Sequence, residues 1–162
     1  MRLFFRYLLV TTAAVWVDHA VLPRLVPGGF APNLSLATVV YIALAAGGLR
    51  AVVAGFVIGL ASDLLGWGPV GLNALVATLA AAVFGRLRGQ IYENSLLVPA
   101  AMVVLADLVL QLLSFVLAAA ATGPVSFGWA VVGRVVLVPL ITGLTCFPLF
   151  FAYWRLLPPP RY

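Results

Sequence analysis

Glycines, prolines and single arginines divide an almost continuously apolar chain into six segments. The pattern predicts helices over about 7–22, 33–48, 51–66, 71–86, 95–121 and 127–154. The first stops at Pro23, because PRLVPGGFAP carries three prolines and two glycines and cannot stay helical. Gly47, Gly48 and Arg50 separate the second from the third, Arg86 and Arg88 close the fourth, and Thr122, Gly123 and Pro124 break the chain after the fifth. Pro139 and Pro148 fall inside the sixth, where kinks are expected. The third and fourth segments are shorter than the nominal ~20 residues of a span, which implies local thinning, a kink or a protein-lined cavity at one face.

Composition makes membrane spans of these helices. Of 162 residues, 65% are hydrophobic and 8% charged, with a mean hydropathy of +1.20, whereas soluble domains are about half apolar and about a quarter charged. Such a chain lacks the polar surface to cover a water-soluble core. A hydrocarbon layer of about 30 Å takes roughly 20 apolar residues per helix. The expected fold is therefore an all-α six-transmembrane-helix bundle, one integral-membrane domain over 1–162. The first apolar run follows Arg2 and Arg6 as a secretory signal would, but no small-x-small cleavage site follows it, so it is expected to remain as a first span.

The net charge of +5 comes from arginine alone, since the sequence has no lysine. The arginines are scattered singly between apolar runs, which excludes a nucleic-acid surface and points to topology. With a cytoplasmic N-terminus, Arg2, Arg6, Arg50, Arg86, Arg88, Arg155 and Arg161 fall inside, Arg24 in an outer loop and Arg134 within a span. Both termini are then cytoplasmic, and Trp16, Trp67, Trp129 and Trp154 lie near span ends as interfacial anchors. The single cysteine, Cys146, permits neither an internal disulfide nor a cysteine metal site.

An ionisable group at the bilayer centre costs at least ~3 kcal/mol on insertion scales, so each needs a partner, a cavity or an interface. Asp63 and Asn73 are equidistant from the outer turn GWGP and can meet through a hydrogen bond, either as a structural lock or as a ligand or partner contact. The same arithmetic around Ala120 and Ala121 pairs Asp107 with Arg134 as an intramembrane ion pair, with Asp63 as a competing partner for Arg134. Asp18 and His19 point about 100° apart on a helix and are expected to be solvated near the interface. Gly55 and Gly59 make a GxxxG spacing, extended by Ser62, that lets a neighbouring helix of this chain or of a partner approach closely. GWGPVG matches G-x-G-x-x-G literally, but no strand precedes it and Pro69 occupies the turn, so a dinucleotide site is rejected. No catalytic, cofactor or metal-ligand constellation emerges, and an enzyme is not expected.

The segment from Gly55 to Leu75, with GF-x-x-GL-x-x-D followed by GP-x-G-x-NAL, resembles the rod shape-determining MreD family. Pro32-Asn33-Leu34, Tyr41 with the paired glycines, and Gly85 to Arg88 extend the resemblance on both sides. It implies a multi-pass bacterial inner-membrane protein with a bundle similar to the substrate-binding subunits of energy-coupling-factor transporters, without catalytic residues. It also implies a scaffold or regulator of lateral-wall peptidoglycan synthesis that binds MreC directly and reaches RodA, the elongation penicillin-binding protein and MreB through it. Gly55, Gly59, Asp63, Pro69, Gly71 and Asn73 match the family pattern and are the partner or pocket candidates. The alternative is a solute- or lipid-binding transporter subunit with Asp63, Asn73, Asp107 and Arg134 lining a pocket. The first span offers Ala13, Ala14 and Ala20, whose spacing does not fit the coupling surface such subunits carry.

Overall fold

The computed structural model describes residues 2–26, 30–66, 70–91, 97–122 and 129–156. Six helical rods are present among the described residues. The first is α1 (Arg2–Trp16), continued by a π-helical turn (Val17–Val21) and a last turn, α2 (Leu22–Leu25). The others are α3 (Leu34–Ala46), α4 (Gly48–Leu65), α5 (Leu72–Ile91), α6 (Leu97–Thr122) and α7 (Trp129–Leu156). Among them α4, α6 and α7 contain stretches long and apolar enough to cross a membrane, and α3 and α5 contain shorter apolar ones. The protein is an all-helical membrane protein in its described residues.

The first rod passes Pro23 instead of stopping before it. Pro23 sits in the first turn of α2 directly after the wider π turn, closed by the Leu22 N–H on the Val17 carbonyl, and such an irregular turn is where a helix accommodates proline. Pro139 and Pro148 likewise lie inside one continuous α7. The α3–α4 turn is Gly47 and Gly48, with φ of 62° and 55°, a left-handed backbone that glycine adopts without steric cost.

The helix α3 is the axis of the bundle. All of its residues from Ser35 to Ala45 are buried, and α1, α4, α5, α6 and α7 pack around it. Lipid-facing positions are large and apolar: Val53, Val57, Leu79, Leu105, Leu144 and Phe151 are all exposed. The inside combines aliphatic residues such as Leu36, Val40, Leu44 and Val103 with alanines and a few polar groups. Tyr41 stacks on Tyr153 and Phe150 at ring separations of 5.0 and 5.7 Å. The Tyr41 hydroxyl donates to the Tyr153 carbonyl, and Thr38 shares a 2.6 Å hydrogen bond with the Tyr153 hydroxyl.

The GxxxG face of α4 turns toward α5. A Cβ built on Gly55 would lie 2.7 Å from the Ala77 carbonyl oxygen, and one on Gly59 only 2.5 Å from the Ala74 Cα. This small-residue seam belongs to the α4–α5 hairpin, so Gly55 and Gly59 pack within this chain, and Gly59 also lines a cleft between the helices. Trp16 is exposed on α1, whereas Trp67 and Pro69 and the side chains of Trp129 and Trp154 lie outside the described residues.

Candidate functional site

With 13 residues, α3 is about 20 Å long at 1.5 Å per residue, against about 30 Å of hydrocarbon. At least one end must therefore lie below the membrane surface. Its carboxyl end leads through Gly47 and Gly48 to the exposed Arg50, a group that belongs at an interface. The amino end is the submerged one. The first N–H groups of any helix have no partner within it, and lipid offers them none.

The chain supplies those partners from two other rods and from the cap residue itself. Asp18 on the π turn accepts the Leu34 N–H at 2.9 Å and the Ser35 N–H at 2.6 Å. Thr142 on α7 accepts the Asn33 N–H at 3.1 Å. Asn33 caps its own helix, its side-chain oxygen accepting the Leu36 N–H at 3.0 Å. The anionic carboxylate also meets the positive end of the α3 dipole. Asp18 is thus an anchor of the central helix and not the interface-solvated residue expected from sequence.

Asp63 does the same for α5. Its carboxylate accepts the Gly71 and Ala74 N–H groups on one oxygen at 2.9 and 3.0 Å. The Asn73 backbone N–H and side-chain amide both donate to the other oxygen, each at 3.0 Å. Asp63 is 3% exposed, so these four bonds replace water almost completely. Gly71 has φ of 97°, the conformation that turns its N–H back toward the carboxylate. The structure brings Asp63, Gly71 and Asn73 together, as the depth arithmetic across the turn requires.

Asp107 behaves differently from the expectation. It is fully buried, accepts the Thr142 hydroxyl at 2.8 Å and lies 3.4 Å from the Asn33 side-chain nitrogen. Thr142 has one hydroxyl proton and two carbonyl-type acceptors within 2.8 Å, Asp107 and its own-helix Val138. The expected Asp107–Arg134 ion pair is not what holds this carboxylate. Arg134 is exposed and eight residues before Thr142, about 12 Å along the helix axis. The error lies in the turn: Asp107 faces Thr142 and Val104 faces Gly143, which centres the α6–α7 hairpin near residue 124, several residues beyond Ala120 and Ala121.

Asp18 and Asp63 share one construction, each accepting backbone N–H groups at the start of the following helix, whereas Asp107 is held by the Thr142 and Asn33 side chains. Asp18, Asp63 and Asp107 each stand on the first rod of a helical hairpin, at intervals of 45 and 44 residues. Sequence reasoning did not link the three by their places on the hairpins, because the backbone donors that Asp18 and Asp63 meet carry no residue signature. Asp18 and Asp107 flank the amino end of α3, and Asp63 holds the amino end of α5. A cleft lined by Asn33, Ser35, Ser62 and Asn73 connects the two helix ends.

A family model described as rod shape-determining protein MreD matches residues 1–157. The chain belongs to the MreD family. Neither a curated protein nor a solved structure matches it. The bundle implied by the resemblance, similar to substrate-binding subunits of energy-coupling-factor transporters, therefore has no solved structure behind it. As an MreD-family member, the chain belongs among the rod shape-determining proteins.

Proposed function

We propose that this MreD-family protein is a non-enzymatic scaffold of the cell-elongation machinery in the bacterial inner membrane, with both termini cytoplasmic and MreC as its direct partner. RodA, the elongation penicillin-binding protein and MreB are reached through that complex, and lateral-wall peptidoglycan synthesis is the process it supports. The observation that carries the proposal is the family match across nearly the whole chain. The site geometry is consistent with scaffolding. The carboxylate oxygens of Asp18 and Asp63 are engaged by backbone amides, and that arrangement stiffens a bundle whose central helix is too short to reach both membrane surfaces.

Gly55 and Gly59 are taken up by α5, so partner helices pack on other faces. Close van der Waals contact and interhelical hydrogen bonds supply affinity in lipid, where no hydrophobic drive acts between helices. The segments 23–32 and 66–69 receive the periplasmic part of MreC. The connecting cleft carries Asn73 on its lining but not Asp63, Asp107 or Arg134, the other three residues of the solute-pocket alternative.

The test is affinity purification of the tagged full-length protein from a rod-shaped host, in mild detergent, together with replacement of the host's own gene. Recovery of MreC and maintenance of rod shape are expected. A retained small molecule without a protein partner would reverse the assignment.

A further inference from the structure

The buried hydroxyls and thiol of the bundle mostly satisfy themselves by bonding back to a carbonyl of their own helix. Thr38 donates to Leu34, Thr78 to Ala74, Ser114 to Leu110, and Thr145 and Cys146 to Thr142. Ser35 and Ser62 break this pattern. Both are more than nine-tenths buried, at 4% and 5% exposure, and neither hydroxyl makes a well-aligned hydrogen bond among the described residues; Ser35 lies beside the Asp18 carboxylate, whereas Ser62 has no such neighbour. For Ser35 the cause is positional. It is the second residue of α3, so the carbonyl four residues earlier belongs to Ala31, ahead of the helix.

Both serines line the same cleft, which lies where α3, α4, α5 and α6 meet. Ile58, Val76 and Leu110 form its apolar walls, and Asn73, with one amide N–H on Asp63, completes the polar side. The cleft measures about 230 Å³ including its open mouth, and its enclosed part has room for one water-sized group. A water needs two to four polar partners to be held in a protein interior. Ser35, Ser62 and Asn73 provide them, and the unmade bond at the Ser62 hydroxyl is a cost the bundle would otherwise bear.

We propose that this cleft is a binding site for a single ordered water, which bridges Ser35 on α3 to Ser62 on α4 beside the Asn73 amide. The water joins the two anchored helix ends. Ser35 gives its N–H to Asp18, and Ser62 precedes Asp63, so one bridge ties the α3 anchor to the α5 anchor. This assignment is independent of MreC binding and stands or falls on its own.

Two measurements on the full-length protein in nanodiscs test it. In a high-resolution map of the wild type, solvent density is expected within hydrogen-bond distance of both Ser35 Oγ and Ser62 Oγ, and a dry cleft overturns the proposal. In a thermal-unfolding cycle, Ser35→Ala and Ser62→Ala are each expected to lower the midpoint by about 2–4 °C, the shift of roughly one hydrogen bond in a chain of this size. The double variant is expected to fall by clearly less than the two shifts added, because either change removes the bridge. Neutral single variants, with the hydroxyls satisfied by protein groups such as Asp18, or strictly additive ones contradict the bridge.

Discussion

Removing the Asp63 carboxylate tests the anchoring scheme at its best-defined point. Asp63→Ala leaves three backbone N–H groups, of Gly71, Asn73 and Ala74, and the Asn73 amide without their acceptor. A buried donor left unsatisfied costs about 1–3 kcal/mol. Four donors would give a large sum, but Gly71 and Asn73 are only partly buried and sit at the turn end of the hairpin, so part of the helix end can rehydrate. The cost is then at the low end for each donor, about 4 kcal/mol in all. Asp63→Asn keeps one acceptor oxygen, which can serve about half the donors, and loses the charge that faces the α5 dipole. Its cost is about 2 kcal/mol, and Asn73→Ala, which removes one side-chain bond, costs about 1 kcal/mol. Equilibrium unfolding in mixed micelles should rank the variants wild type, Asn73→Ala, Asp63→Asn, Asp63→Ala in falling stability. Asp63→Ala within about 0.5 kcal/mol of wild type, or equal to Asn73→Ala, would refute the accounting.

Three further outcomes follow from the same geometry. Gly59→Ala places a methyl against the Ala74 backbone and should destabilise by about 1–3 kcal/mol or more. Gly48→Ala meets no atom within 4 Å and should cost only the roughly 1 kcal/mol of its left-handed backbone; thermal midpoints of both variants check the difference. In double-mutant cycles Asp107→Ala should couple with Thr142→Ala by about 0.5–3 kcal/mol and add independently with Arg134→Ala; coupling to Arg134 instead would restore the ion pair. Asp18→Ala should raise amide exchange at Leu34 and Ser35 first, leaving the Tyr41–Tyr153 end of α3 protected, and uniform exchange along α3 would count against a local anchor.

Much of the bundle is legible in the sequence because apolar run length and breaker residues report directly on helices in lipid. The Asp63–Asn73 contact is legible too, since GWGP is short and fixes the hairpin register on both sides. The Asp107 environment is not. The break at Thr122, Gly123 and Pro124 marks the end of the fifth segment, but taking Ala120 and Ala121 as the turn centre ignores it, and an offset of a few residues there exchanges Thr142 for Arg134. The role of Asp18 is hidden for another reason. Its partners are backbone amides of α3, which no residue identity advertises, and they come within reach only because α3 is short and sunken. The cleft-lining hydroxyls of Ser35 and Ser62 are likewise invisible until the helices are packed.

The claim at the centre of this account is that the acidic residues hold the bundle together and that partner recognition uses other surfaces. The direct measurement is MreC recovered per unit of folded protein for wild type and Asp63→Asn, with folded protein quantified by monodisperse gel filtration. Equal recovery per folded molecule, with the loss confined to the folded fraction, is the predicted result. A fully folded Asp63→Asn protein that no longer retains MreC would contradict it.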